Sequence, residues 1–576
     1  MVRRYLQRLL PSRSRGDRGE DGVAMIMAML LSLILVAIPL AMMTANIGQL
    51  PLSRYEQDRA TALAAADAGV QDYLNRLNHN PNYWEYSATN LPPDGNLAFT
   101  QFVPVSAQSN SSFKYSADSS QFGPQGIVYV TSTGKSRNAT RTIKVGVRPI
   151  GFLDNLSMSN YNLVDPQLDP VAGSSTAYDC VYDHYQPNPE SGGTGPDMNY
   201  CSGLINYWVG FSNFQNVANG PVRSNDDYYL CGNPDFKGQV TTGDPSTSHK
   251  PYWYDPAGCP GDAPNLEKGP IQSQGTISMP PSDSKIETYA SSAGCVYTGP
   301  TAIQLSGTKM TVLSPDTLSA NAGCYDTSTP GTPYTVDLTS SSFNGVVYVQ
   351  GIPSSGTNSG PCQTNLSSWL STSMDPCKSG DAFVQGSLNG QLTIATANNL
   401  FVTGDIKYNS FTGNTVLGLV ANNFIEVNHP VDSYGGTVVG TVPFYSSGST
   451  RWCFGAPADN TASTSFTTCD STNTVSNNPA HHNVTIDAAI LTVQQSMETA
   501  NFSSGGVLGN LDVTGAIAGM YMDIEGVFNG SNSLIDGYNE NYTYDTRLQH
   551  LTPPYFLDPS QTTWKQISYA ECHGTC

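Results

Sequence analysis

Apolar and polar positions change their period three times along the chain. From Val23 to Ile47 apolar residues run for 25 positions, interrupted only by Ser32, Pro39, Thr44 and Asn46. At 1.5 Å per residue that run is long enough to cross a hydrocarbon core of about 30 Å. From Arg54 the sequence RYEQDRATALAAADAGVQDYLNRL places Leu63, Val70, Leu74 and Leu77 on one helical face with alanines between them. This predicts that the helix continues beyond the apolar run as an amphipathic stem. Gly126 to Pro149 then alternates apolar and polar residues on both sides of Gly134, predicting a β-hairpin that turns at that glycine, part of a small sheet against the stem.

Past residue 150 no long helical period occurs, and Gly, Ser, Thr and Asn dominate. ATANNLFVTGDI (395–406) and LVANNFIEVNHP (419–430) align with Ala397-Asn398-Asn399 over Ala421-Asn422-Asn423, an offset of 24 residues. Such a period suits one coil of a parallel β-solenoid, in which short strands bury their apolar faces on the coil below. Val349-Gln350-Gly351, Val384-Gln385-Gly386, Val402-Thr403-Gly404 and Val513-Thr514-Gly515 repeat a valine two places before an expected turn glycine. Paired asparagines suit solenoid corners, where Asn adopts left-handed backbone and bonds to neighbouring main chain.

Charge narrows the partners. After Gly22 the chain holds 20 basic and 43 acidic residues, and 269–530 has only Lys285, Lys309, Lys378, Lys407 and Arg451 as basic residues. Nucleic acid is excluded as an expected partner, because phosphate binding needs basic stripes. All twelve cysteines fall after position 179, among polar residues and beyond the apolar run, which points to disulfides in an oxidising compartment. Sequence proximity favours Cys362 with Cys377, Cys453 with Cys469, and Cys572 with Cys576; the full connectivity stays open. No C-x-x-C pair supports zinc, and Cys572-His573-Gly574-Thr575-Cys576 offers three ligands at most.

The segment before the apolar run carries Arg3, Arg4, Arg8, Arg13, Arg15 and Arg18, so the positive-inside rule keeps it cytoplasmic and sends the C-terminal bulk outward. A basic leader ending at Gly22, an apolar helix containing Pro39, and an Ala-rich stem with Ala66-Asp67-Ala68-Gly69 together resemble a type IV prepilin, and more closely the N-terminal region of PilX-type minor pilins. The hairpin TSTG…RTIKV extends that resemblance to about residue 150. GPVRSNDDYYLCG near Cys231 and GYNENYTYDTRLQHLTPPYFLDP (537–559) look similar to blocks in large PilX-type surface proteins. The resemblance implies a prepilin peptidase cutting between Gly22 and Val23, and partners among other pilins and the inner-membrane assembly machinery. It also implies filament contacts through Met27 and Pro39. Pilins usually carry Glu as the fifth mature residue; this chain has Met27 there. An uncleaved single-pass anchor reads the same hydropathy and stays open.

Catalysis has few candidates. Asp405, Glu426, Asp487 and Asp512 could supply a glycosidase's carboxylates but read as turn or solvated edge residues, and the shortage of Lys and Arg disfavours a polysaccharide lyase. His429 and the pair His481-His482 read as surface histidines without a second ligand set. No cofactor, metal or enzymatic activity is expected, and calcium stays open. The expected organisation is a leader (1–22), a membrane helix and stem (23–80), a small pilin-like β region (81–150), early solenoid coils with insertions (151–340), a β-solenoid (341–530) and a C-terminal cap (531–576). The fold expected is mainly β with a long N-terminal helix. The expected function is non-catalytic: a minor pilin at a filament tip, held in the cytoplasmic membrane before assembly, acting in pilus assembly or adhesion to a surface polysaccharide or a host or abiotic surface. A membrane-anchored surface protein and a β-helical carbohydrate-active enzyme are the alternatives.

Overall fold

A computed structural model describes residues 21–162 with small gaps, 165, 168, and most of 211–243, 264–353, 379–429 and 483–572, together with short strands between 252–254 and 439–476. The chain is mainly β, with one long N-terminal helix and large sheets.

Helix α1 spans Asp21–His79. Its second half buries Ala62, Ala65, Ala66, Val70, Tyr73, Leu74 and Leu77, close to the face expected, with Leu63 half-buried at its margin. That face packs on an antiparallel sheet of β1 (Val103–Pro104), β2 (Ser111–Asp118), β3 (Val128–Ser136) and β4 (Ala139–Pro149). Tyr73 meets Tyr83, Phe99 and Tyr115 edge-on, filling the core between helix and sheet. The hairpin forms as expected, but it turns beyond Ser136, at Arg137, whose φ is 51°. Gly134 lies inside β3. A Cβ there would stand 2.0 Å from the Ala62 carbonyl oxygen and 2.3 Å from the Ala66 nitrogen, so this glycine lets helix and sheet backbones touch.

Most of the remaining strands stack in parallel, while Lys309–Leu313 pairs antiparallel with Thr301–Gly307 and with Tyr334–Asp337. One ladder runs, in spatial order, through Gln272–Ser273, Val240–Thr242, Val222–Ser224, Ser157–Ser159, Val507–Gly519, Val484–Thr492, Val416–Ala421, Gln391–Thr396, Val346–Gln350 and Cys295–Thr298. A second joins Thr301–Gly307, Ala382–Leu388, Leu400–Tyr408, Ile425–Val427 and Met497–Thr499. Between the ladders lies a core that includes Ile303, Val349, Ile394, Val402, Leu419, Ile490 and Val513. Strands covered on both faces read as unbroken apolar runs, which is why residues 416–421 are VLGLVA and fully buried.

Four expectations change here. The Asn triplets do stack, but one residue out of the aligned register: Thr396 pairs with Ala421, the Asn423 amide donates to the Asn398 carbonyl at 3.1 Å, and Leu400 pairs with Ile425, an offset of 25. The inward rows of valine and isoleucine fix that register, since a one-residue slip would turn them outward. Val384 and Val402 are direct partners, but Gly386 marks a bulge rather than a turn; its φ is +114°, and a Cβ would meet the Leu305 carbonyl oxygen at 2.2 Å. The strands between 157 and 273 are not early coils preceding 295. Ser157–Ser159 pairs with Ile517–Gly519, so they extend the ladder beyond its last strand, at the end opposite Cys295.

The C-terminal region, finally, does not act as an end cap. Leu534–Tyr544 is a ladder strand beside Val507–Gly515. Phe556, Leu557 and Ile286 cover Val420 and Leu491 on the outer face of the first ladder, and the Thr393 hydroxyl donates to the Pro554 carbonyl at 2.5 Å. Trp564–Glu571, here β5, returns to pair antiparallel with β4.

Candidate functional site

Two features of the chain could carry function: the bare half of α1 and a set of buried acids on the parallel ladders. Val23–Leu40 has a mean hydropathy of 2.8, and none of this span is buried. Val23, Met27 and Leu33 are 63%, 63% and 69% exposed. Such a span suits a bilayer, where all backbone polar groups of a helix are satisfied internally. After Gly22 the first carboxylate is Glu56, so the span offers apolar contact and no internal charge, with Met27 a plain apolar position. Pro39 lies within the helix and is exposed. The Ala66-Asp67-Ala68-Gly69 element is placed where stem meets sheet, and the Ser132 hydroxyl donates to the Ala66 carbonyl at 2.8 Å.

The joint between the helix-and-sheet unit and the ladders is charged. Arg148 on β4 and Lys565 on β5 both bind the Asp154 carboxylate, whose other oxygen accepts from the Gly151 amide at 2.9 Å. Arg148 is nearly buried, so this network is costly to break on one side. Asp558 nearby is pushed up to about 6 by burial, which Arg148 and Lys285 oppose.

The acids singled out from the sequence take different places. Asp405 accepts from the Thr485 amide at 2.9 Å and pairs with Lys407. Asp487 accepts from the Tyr408 amide at 2.8 Å, and Asp512 from the Asn541 side chain at 2.6 Å. These three are clasps between coils. Glu426, by contrast, is fully buried, and burial together with Asp381 pushes its carboxyl well above the usual range. His429 is not a surface residue either; it is 3% exposed, and burial lowers it to about 4. Asp381, Glu498 and Asp165 carry no local signal of this placement: Asp381 acts on Glu426, and Glu426 and Asp165 act on Glu498, only in the folded chain. Among the described residues no group of three His, Cys, Asp or Glu side chains is set to hold a metal ion.

Cys295 and Cys324 form a disulfide with Cα atoms 5.4 Å apart, a pair not among those expected. Cys572 is disulfide-bonded. Cys362, Cys377, Cys469, Cys576 and the side chain of Cys453 lie outside the described residues, as do His481 and His482.

No family model matches the chain, and no curated protein does either. Among solved structures the chain is similar to the competence-associated pilin ComZ from Thermus thermophilus, at 11% identity over 89% of this chain and 97% of that one, with a TM-score of 0.22, too low to carry an argument about fold or function.

Proposed function

We propose that the chain is a non-catalytic, pilin-like component of a type IV pilus-like filament, seated at its tip and displaying a large β-solenoid outside the cell. The observation that supports this most is the division of α1. Val23–Leu40 is uncharged, almost wholly apolar and bare, while the stem after Ala62 is packed into a small antiparallel sheet. A helix built that way can wait in the cytoplasmic membrane and then pack against the helices of other pilins, once a prepilin peptidase has cut between Gly22 and Val23.

Met27 supports the tip position. A subunit without a carboxylate there has nothing to offer the N-terminal amine of a neighbour, and a lone charge in lipid costs several kcal/mol. At an end of the filament that contact is not required. Bulk argues the same way, because residues 150–563 would crowd a lattice of small pilins. Display at the tip suits initiation of assembly or first contact with a polysaccharide or other surface.

Immunogold labelling against the ladder region tests the reading, together with mass determination of the native N-terminus. Label at filament tips and a chain beginning at Val23 are expected. Label along the shaft overturns the tip position. An intact leader with label confined to the cell envelope favours the uncleaved surface anchor.

A further inference from the structure

Residues 111–149, which make β2, β3 and β4, hold six basic residues and the single acid Asp118, in a chain that after Gly22 is otherwise strongly acidic. The three arginines are engaged within the molecule. Arg137 pairs with Asp58 on α1 at 3.4 Å, Arg141 with Glu571 on β5, and Arg148 with Asp154. The three lysines are not: among the described residues Lys114, Lys135 and Lys144 form no ion pair.

Strand alternation fixes where these lysines point. Phe113 and Tyr115 on β2, Val128 and Val130 on β3, and Ile143 and Val145 on β4 all face α1, so the lysines stand on the opposite side of the sheet. Lys114 and Lys135 are exposed and Lys144 is half-buried. Aromatic rings hold two of them in place: the Lys135 Nζ lies 5.8 Å from the ring centre of Phe102, and the Lys144 Nζ 5.0 Å from that of Tyr129. Between the lysines the hydroxyls of Thr133 and Thr142 are 3.0 Å apart. Asp118, on the same side, accepts from the Ser120 amide at 3.0 Å.

The strands run along α1. Gly134 abuts Ala62 and Ala66, while at the far end of the sheet the Trp564 amide donates to the Asn78 side chain at 2.6 Å. The outer face therefore looks sideways from the helix, and its lysines begin near the level of Ala62. That level is about 22 Å along the helix beyond Ile47, the end of the apolar run. Headgroups occupy only about 5–8 Å past the hydrocarbon, and charge is screened within about 8 Å at physiological salt, so a lipid surface lies out of reach. A second copy of this chain brings the same lysines and is repelled. What fits is an acidic surface that stands beside the helix.

We propose that this lysine face of the small sheet docks the acidic flank of a different helix-anchored subunit lying next to α1. The inference rests on reading the chain as a filament subunit, and adds which face meets the neighbour and what charge that neighbour carries. A polar, charged contact of this kind speeds encounter and sets orientation, and it weakens with salt.

Zero-length carbodiimide cross-linking joins a lysine amine to a carboxylate only where the two touch, and so reads the contact directly. In filament-forming cells with the other pilin-like subunits tagged one at a time, peptide mass spectrometry is expected to find Lys114, Lys135 or Lys144 joined to an Asp or Glu of a tagged subunit. Lys114→Glu/Lys135→Glu/Lys144→Glu is expected to remove those links. It should also cut co-purification of the full-length chain with that subunit in detergent about tenfold or more at low salt, with little difference left at about 1 M salt. All three side chains lie outside the core, so the variant is expected to melt close to wild type. Lys135→Gln alone, expected to weaken co-purification about threefold, carries the test if the triple variant misfolds. No link to any tagged subunit, or co-purification that the variants leave unchanged, overturns the proposal. So does binding to phosphatidylglycerol vesicles or to alginate that the triple variant loses while no subunit is linked, since that assigns the face to a lipid or a glycan. A lysine link to a tagged subunit in the cell envelope, with no immunogold label on filaments, upholds the docking face and overturns only the filament reading.

Discussion

Pro149, the last residue of β4, pairs directly with Trp564, the first residue of β5. Residues 150–563 are thus an insertion between two neighbouring strands of the small sheet, and the parallel ladders hang from it by two adjacent connections. Trp564 also stacks on Phe122, with ring centroids 5.5 Å apart, and is buried in the core under α1.

Trp564→Ala should therefore weaken the helix-and-sheet unit by roughly 3–5 kcal/mol, the usual cost of deleting a large buried aromatic ring. Tyr569→Ala on the same strand, where the ring is 48% exposed, should cost under about 1 kcal/mol. Urea unfolding followed by tryptophan fluorescence checks the first, and circular dichroism checks both.

At Gly134 an added methyl meets helix backbone rather than a movable side chain. Gly134→Ala should force α1 off the sheet and cost about 2 kcal/mol or more, within the range of overpacking in a well-filled core. Faster proteolysis of the stem after Arg54 is the expected readout. A variant as resistant as wild type would mean that the contact yields.

Removal of the Cys295–Cys324 bridge should cost about 3.5 kcal/mol, from the sequence separation of 29 that it closes. Cys295→Ser/Cys324→Ser, compared with the parent under non-reducing conditions, measures it. Both sulfurs face the ladder core, so part of any larger loss reflects packing.

His429 sets the acid side of stability. Its folded value is lowered to about 4 by burial, below the ordinary value of 6.5, so the folded chain binds fewer protons there than the unfolded chain. That contribution is whole above about pH 6.5 and is lost as pH falls toward 4. His429→Gln should flatten the fall in melting temperature between about pH 6.5 and about pH 4.5. Asp381 acts with the opposite sign: raised to about 7 by burial, it stabilises most below the ordinary aspartate range and loses that effect as pH rises through 7.

The proposed tip position is tested at Met27. Met27→Glu should restore the missing carboxylate and move immunogold label from the tip to positions along the shaft. Gly22→Arg should leave an unprocessed chain, detected by the mass of its N-terminus. Processing unaffected by Gly22→Arg would remove Gly22-Val23 as the cleavage site.

Local rules settled much of this molecule before any tertiary contact was considered. The membrane-length run of α1, its amphipathic continuation and the hairpin of β3 and β4 follow from the period of apolar residues, because each is decided by neighbours within a few positions. The parallel stacking left a trace in the paired asparagines, since successive coils repeat the same environment. Other features depend on residues far apart in sequence and leave no local mark. The register of 25 was chosen by the inward rows of both ladders together, and the placement of the strands Ser157–Ser159 and Val222–Ser224 beyond Val507–Gly519 by which edge strand remained open. The pairing of β4 with β5 joins strands separated by the whole insertion. Glu426, read in the sequence as a turn or solvated edge acid, lies between Ile425 and Val427. Only its place on the ladder, between Phe401 and Glu498, takes it out of water, because burial is a property of what covers a residue and not of the residues beside it.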